Sequence, residues 1–417
     1  MKLVGSFSPP GDKSLSHRLA LLAVLARGEC RVENFAPGAD CASSLAALAA
    51  LGGGVERRGE AVRLQGLAGA VAREATLDCG NSGTTMRLLM GILAGREGRW
   101  RLKGDASLSR RPMERVAAPL REMGARVTTR RGRPPVEITG GALQGREHHL
   151  AVASAQLKSA LLLAGLQAEG TTTVREPAPS RDHTERLLAA MGADLQQRPD
   201  GAWQVRRSGL TLPERWRVPG DPSSAAFLLC AAAVLPGSRV TARGVLLNPT
   251  RTGFLTVLRR MGAAVEVAVE GEDPEPWGRV SVRHGPPLVA CTVEAELFPS
   301  LVDEVPVLAL VATQARGTTC FRGVGELRHK ESDRLAMVVD QLRRMGARLA
   351  VEGEDLYLDG PTLLAAPRRL ESAGDHRMAM MLRLAGLVAG AWPEVADEDC
   401  CAVSWPGFGR TLEALRA

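Results

Sequence analysis

Six short clusters along the chain place hydroxyl, amide, carboxylate and cationic side chains directly ahead of apolar runs. They are GDKSLSHR from Gly11, GNSGTTMR from Gly80, ASAQLKS from Ala153, GDPSSAA from Gly220, LVDEVPV from Leu301 and GDHRMAM from Gly374. Each has the composition of a helix N-cap. A helix N-terminus offers unpaired N–H groups and roughly half a positive charge, which is a ready anion site. With Lys13, Arg18, Arg87 and Arg377 in or beside these clusters, the chemistry they support is the capture of a multiply charged anion. Read plainly, Asp12, Asp221 and Asp375 would only cap their helices.

Two further clusters are rich in charge. In LSRRPMERVAAPL from Leu108, Arg110 and Arg111 precede a proline suited to a first helical turn. In GVGELRHKESDRLAM from Gly323, Lys330, Glu331, Asp333 and Arg334 are expected at the start of a helix, with Glu331 and Arg334 one turn apart. A solvated ion pair is the bland reading of that spacing.

The elements that must position these residues recur. The motif L-x-x-[LM]-G closes apparent helices at Gly52, Gly124, Gly192, Gly262 and Gly346, at intervals of 72, 68, 70 and 84 residues. Each copy has the form of a helix stop, a left-handed glycine followed by an apolar strand. A second series of apolar stretches ends at Gly28, Gly98, Gly170, Gly237, Gly317 and Gly390. The two series keep step, so six units of similar length account for the chain. Helices alternate with strands such as VRLQGL, VEITG and TTTVRE, an α/β pattern in which helices like LLCAAAVL would be buried on nearly all sides. The sixth unit ends at TLEALRA without its glycine and strand, and the N-terminal KLVGSF is the natural substitute. That places residues 1–10 with 219–417 in one domain and leaves 11–218 as the other.

Bulk composition agrees with two ordinary globular cores: 417 residues, 45% apolar and 24% charged. The net charge of +7 favours anionic partners, but aromatics are only 3%, too few for the stacking surfaces of a single-strand nucleic-acid binder. RRGRPP from Arg130 resembles a minor-groove motif, yet a hairpin turn explains it as well. Eight scattered cysteines without a C-x-x-C pair read as reduced thiols of a cytoplasmic protein, and no apolar run suggests a membrane span. Metal-ligand spacings are missing among the seven histidines.

PGDKSLSHR, GNSGTTMRLL, SLSRRPM, SAQLKSALLLAGL, SRDHTE, PSLVDEVPVLA, ELRHKESDRL and GDHRMAM, in that order, resemble the 5-enolpyruvylshikimate-3-phosphate synthases of the enolpyruvyl transferase family. The resemblance implies two inside-out α/β barrel domains, each of three βαβαββ units, with an active-site cleft between them. It also implies a transferase of the shikimate pathway, leading to chorismate and the aromatic amino acids, working as a cytoplasmic monomer without cofactor, metal, nucleic acid or membrane.

By the same resemblance, Ser14, Arg18, Ser154, Gln156, Arg181, Asp303 and Lys330 would hold shikimate 3-phosphate. Lys13, Gly83, Arg111, Gln156, Arg334 and Arg377 would hold phosphoenolpyruvate. Ala155 stands where many relatives carry a second serine, so only its backbone could contribute. Asp303 is the implied base at the sugar hydroxyl, Glu331 the implied partner at the methylene carbon, and Lys13 a bridge to both substrates. Two alternatives stand beside this reading. UDP-N-acetylglucosamine enolpyruvyl transferases share fold and chemistry but typically open with Lys-Asn, against Lys13-Ser14 here, and carry a loop cysteine where this chain has none between Cys79 and Cys230. A phosphate- or nucleic-acid-binding scaffold without catalysis is the other.

Overall fold

Each apolar run becomes a helix with almost every face covered. The computed structural model describes residues 1–417, and its six core helices are Lys13–Leu22, Gly83–Ala94, Ala155–Gly165, Pro222–Val234, Val305–Ala312 and His376–Val388. In the fourth, every residue from Pro222 to Ala233 is buried. A helix with no polar face cannot lie against solvent and must be enclosed.

The enclosing sheets share one topology. Glu74–Asp78 runs parallel to Gly98–Lys103, which pairs antiparallel with Arg133–Gly140, which in turn pairs antiparallel with Arg126–Arg130. The same four-strand order recurs in the sheets centred on Glu29–Glu33, Thr171–Arg175, Arg239–Leu246 and Gly317–Phe321. In the sixth repeat only the parallel pair Arg369–Glu371 and Glu394–Ala396 forms. The closing glycines have φ of 105, 111, 87, 86 and 92° at Gly52, Gly124, Gly192, Gly262 and Gly346. These left-handed values are cheap only without a Cβ.

The backbone divides into two compact units, Gly11–Val218 and Met1–Pro10 with Pro219–Ala417. In the first, core helices one to three pack together inside three four-stranded sheets. In the second, core helices four to six contact one another and lie in a single apolar core.

Three expectations are corrected. Val4–Phe7 does not complete the sixth repeat: it pairs in parallel with Arg239–Ala242 of the fourth, and only Leu3 bridges to Arg416 near the C-terminus. Elsewhere, as with Glu74–Asp78, the strand ahead of a core helix pairs with the strand behind it. Here the edges are exchanged, since Arg215–Arg217, which precedes core helix four, pairs with Arg31–Glu33 behind core helix one. Secondly, Pro112 opens no helix; the chain makes a short 3-10 turn at Leu108–Arg110 and the helix begins at Glu114. Its fixed φ instead serves the extended exit from that turn. Thirdly, the helix after the Gly323 cluster starts at Arg334, capped by Asp333 through the Ala336 amide, so Lys330 and Glu331 lie ahead of it.

RRGRPP is a hairpin tip, with Arg131 and Gly132 both at positive φ. All eight cysteines are free thiols. Burial pushes Cys30 and Cys79 up to about 12. No helix is long and apolar enough to cross a membrane.

Candidate functional site

In the unit Gly11–Val218, the N-termini of core helices one to three carry the predicted residues. Core helix one is capped by Asp12, which accepts from the Leu15 amide at 2.7 Å. Its first residue, Lys13, reaches Asp40 of the helix Ala39–Ala50 at 2.6 Å. Arg18, one turn on, is buried and donates to Thr184 Oγ1 at 2.7 Å, to Ser159 Oγ at 3.2 Å and to the Ser14 carbonyl at 3.0 Å. Those contacts orient the guanidinium.

Core helix two is capped by Ser82 and begins at Gly83. A Cβ added at Gly83 would stand 2.7 Å from Arg87 Nη1 and 3.4 Å from Arg111 Nη1, so the glycine lies against two guanidinium groups. Arg87 donates to Gln156 Oε1 at 2.6 Å, and Gln156 donates to Thr84 Oγ1 at 2.8 Å. Arg111 donates to Asn81 Oδ1 at 2.6 Å. The helix N-terminus, two arginines and one carboxamide thus meet around Gly83, chemistry suited to a compact anion.

Core helix three is capped by Ser154, whose hydroxyl accepts from the Leu157 amide at 3.4 Å, and Ala155 is its first residue. Arg181, half-buried, lies in the turn just ahead of the helix His183–Ala190. A hydroxyl relay ties core helices one and two together: His17 Nδ1 is 2.8 Å from Ser44 Oγ, which is 2.7 Å from Thr85 Oγ1. Burial pushes the His17 ring down to about 3, with Asp40 opposing and Lys13 and Arg18 assisting. It is therefore a neutral strut.

In the other unit, Arg334 is buried at the start of its helix among carboxylates. It contacts Asp375 at 2.8 Å, Asp303 at 3.2 Å and Glu331 at 2.5 Å. Burial disfavours its charge, but the three acids outweigh that and hold the guanidinium far above its ordinary range. Asp375 is fully buried, caps core helix six through the Arg377 amide at 2.9 Å and accepts from Ser332 Oγ at 3.0 Å. Burial pushes its carboxyl up; Arg334 overcomes this and sets it below the usual carboxylate range.

Asp303 does not cap core helix five; Glu304 occupies that position and makes no side-chain cap bond. Asp303 instead spans Arg334 and Arg377, the latter at 3.5 Å. Lys330 is 3.8 Å from Glu326, and burial, opposed by Asp303 and Glu326, leaves its ammonium below the usual lysine range.

Among the expected residues, Gly83, Arg111 and Gln156 come together in the first unit, as do Ser14 and Arg18. Asp303, Glu331, Arg334 and Arg377 come together in the second. Three contributors, Asp40, Thr184 and Ser159, had no role in the sequence reading, while Arg87 was expected only among the cations near an anion. Arg87 stands one turn after Gly83, a spacing that does signal a shared face. Asp40, Thr184 and Ser159 reach their partners through tertiary packing and leave no local signal.

The family model described as EPSP synthase (3-phosphoshikimate 1-carboxyvinyltransferase) matches residues 1–412. The chain is similar to the 3-phosphoshikimate 1-carboxyvinyltransferase of Bacillus velezensis, 44% identical over 418 residues that cover 99% of this chain and 97% of the relative. It is 47% identical to that of Gloeobacter violaceus, covering 100% and 97%. The solved EPSP synthase of Acinetobacter baumannii matches with a TM-score of 0.88 at 38% identity, over 99% of this chain and 96% of that one.

Proposed function

Since the chain belongs to the EPSP synthase family, we infer that it transfers the enolpyruvyl group of phosphoenolpyruvate to the 5-hydroxyl of shikimate 3-phosphate and releases phosphate. The observation that supports the chemical roles best is Asp303, held by Arg334 and Arg377 beside Glu331 on the same Arg334. The reaction needs a base at the attacking hydroxyl, an acid at C3 of phosphoenolpyruvate and cations for the phosphate that leaves.

Asp303 takes the hydroxyl proton as the oxygen bonds to C2, and C3 gains a proton at Glu331, giving a tetrahedral adduct. Glu331, now a carboxylate, takes back a proton from C3, and the C3–H electron pair restores the double bond as the C2–O bond breaks and phosphate leaves with its electrons. Gly83, Arg87, Arg111 and Gln156 suit the compact dianion of phosphoenolpyruvate, assisted by Lys13, Arg334 and Arg377. Ser14, Arg18, Ser154, Gln156, Arg181 and Lys330 suit the sugar phosphate, with Ala155 offering only backbone. We place the protein in the cytoplasm, a reading supported by its eight free thiols, and take it as a monomer, which sedimentation measures directly.

Phosphate release assayed with shikimate 3-phosphate and, separately, with UDP-N-acetylglucosamine tests the acceptor; turnover with the nucleotide sugar alone would reject the assignment. Asp303→Asn keeps the shape and removes the base. It is expected to lower kcat by about 10²–10⁴-fold with shikimate 3-phosphate binding retained. Near-normal turnover would reject the role given to Asp303.

A further inference from the structure

The loop from Glu176 to Asp182 joins the strand Thr171–Arg175 to the helix His183–Ala190 and carries Ser180 and Arg181. Lys158 of core helix three lies beneath it, with its side chain 2% exposed. Its ammonium is 2.7 Å from Glu176 at the loop's start, 2.7 Å from Glu185 beyond its end, and 3.4 Å from the Ser180 carbonyl in between. Ser180 Oγ also donates to Glu176 Oε1. One buried cation therefore pins both ends of the loop and the residue next to Arg181.

A parallel rung lies one residue along each element: Ser159 and Thr184, 2.6 Å apart, are the hydroxyls that receive Arg18. Burial works against the Lys158 charge, but Glu185 and Glu176 outweigh it and hold the ammonium above its ordinary range. With two acids on one base, burial in turn pushes Glu185 up against the pull of Lys158. For stability alone, a buried ion triad does no better than well-packed apolar side chains. What it adjoins is the residue next to Arg181 on one side and the hydroxyls that receive Arg18 on the other.

We propose that Lys158, clamped between Glu176 and Glu185, is a positioning residue that sets Arg181 and Arg18 for the sugar phosphate without touching it. The proposal rests on the reading that Arg181 binds shikimate 3-phosphate. If it is right, weakening the clamp loosens that one substrate and leaves the enolpyruvyl donor and the chemical step alone.

The test compares KM for each substrate and kcat in the full chain for Glu176→Gln, Lys158→Met, Arg181→Ala and the double variant Glu176→Gln/Arg181→Ala, with melting curves alongside. Glu176→Gln leaves a neutral Lys158–Glu185 pair and preserves packing, so it remains informative even if Lys158→Met does not fold. The expected result for Glu176→Gln is a KM for shikimate 3-phosphate raised roughly tenfold, the scale of one loosened charge-assisted contact. Its kcat and KM for phosphoenolpyruvate should stay within about twofold of the parent, and it should add little to Arg181→Ala. A folded Lys158→Met should raise the same KM further, because both rungs are disturbed.

If Arg181→Ala raises this KM but Glu176→Gln does not, the clamp has no positioning role and the proposal fails while the reading of Arg181 survives. Full additivity in the double variant also overturns it. If Arg181→Ala itself leaves the KM unchanged, both the reading and the proposal fall.

Discussion

In the unit Gly11–Val218, Arg18, Arg87 and Arg111 are oriented by hydroxyl, carboxamide and backbone oxygens, whereas in the other unit Arg334 lies among Asp303, Glu331 and Asp375. The first arrangement holds its guanidinium groups by neutral oxygens among others; the second gathers a buried cation and three acids in one tight group. On the proposed roles, most of the anion-holding residues fall in the first unit and both proton-handling acids, Asp303 and Glu331, in the second. The difference also makes the second group the more fragile, because each member is needed to offset the burial of the rest.

The largest expected effect breaks the comparison at that point. Arg334→Met removes the cation on which three carboxylates converge and is expected to cost about 3–5 kcal/mol of stability. Denaturant unfolding of the full chain measures it, and a loss under about 1 kcal/mol would mean that the acids had relaxed into solvent.

The next separates the two units by pH. The His17 ring stays neutral down to about 3 in the fold, against an unfolded value near 6.5. As pH falls below 6.5 the unfolded chain takes up a proton that the folded unit refuses, so stability drops by up to about 1.4 kcal/mol per pH unit until about pH 3. Asp375, set below the ordinary carboxylate range, has the opposite reference point. Its contribution is intact above its unfolded value near 3.8 and is lost only as pH falls below that. Hydrogen exchange followed by peptide at pH 7, 5.5 and 4.5 should show the helix Lys13–Leu22 loosening before His376–Val388. In His17→Asn that early loosening should flatten; an unchanged slope would remove His17 as its source.

The smallest effect sharpens the picture of the first group. Gly83→Ala puts a Cβ 2.7 Å from Arg87 Nη1, and the obstructing atom is the end of a flexible side chain. The fold should therefore survive while Arg87 is displaced from Gln156. We expect KM for phosphoenolpyruvate to rise roughly tenfold with the melting temperature little changed. An unaltered KM would show that Arg87 can step aside without consequence.

The recurring glycines were legible in the sequence because a left-handed backbone restricts residue type so strongly that function leaves a local trace. The helix caps Asp12, Asp221 and Asp375 were legible for a similar reason, since a cap bonds amides two or three residues away. What could not be read was the pairing across elements. Lys13 and Asp40 are separated by 27 residues, and Asp40 looks like an ordinary first-turn acid. Lys158 resembles a stray cation in LKSALLLAG until packing brings Glu176 and Glu185 to it. The partner of the N-terminal strand was misread because the sequence shows that a sheet lacks an edge, and says nothing of which sheet accepts the one available.

That exchanged edge has a consequence for synthesis. Val4–Phe7 is made more than two hundred residues ahead of its partner Arg239–Ala242. At about 5–20 residues per second the wait is on the order of ten to fifty seconds. Throughout it Leu3 and Phe7, buried in the finished protein, have no core to enter, while the whole of Gly11–Val218 is free to fold. Until then the nascent chain carries an unpaired strand edge, where a chaperone or an errant neighbouring chain would find a grip.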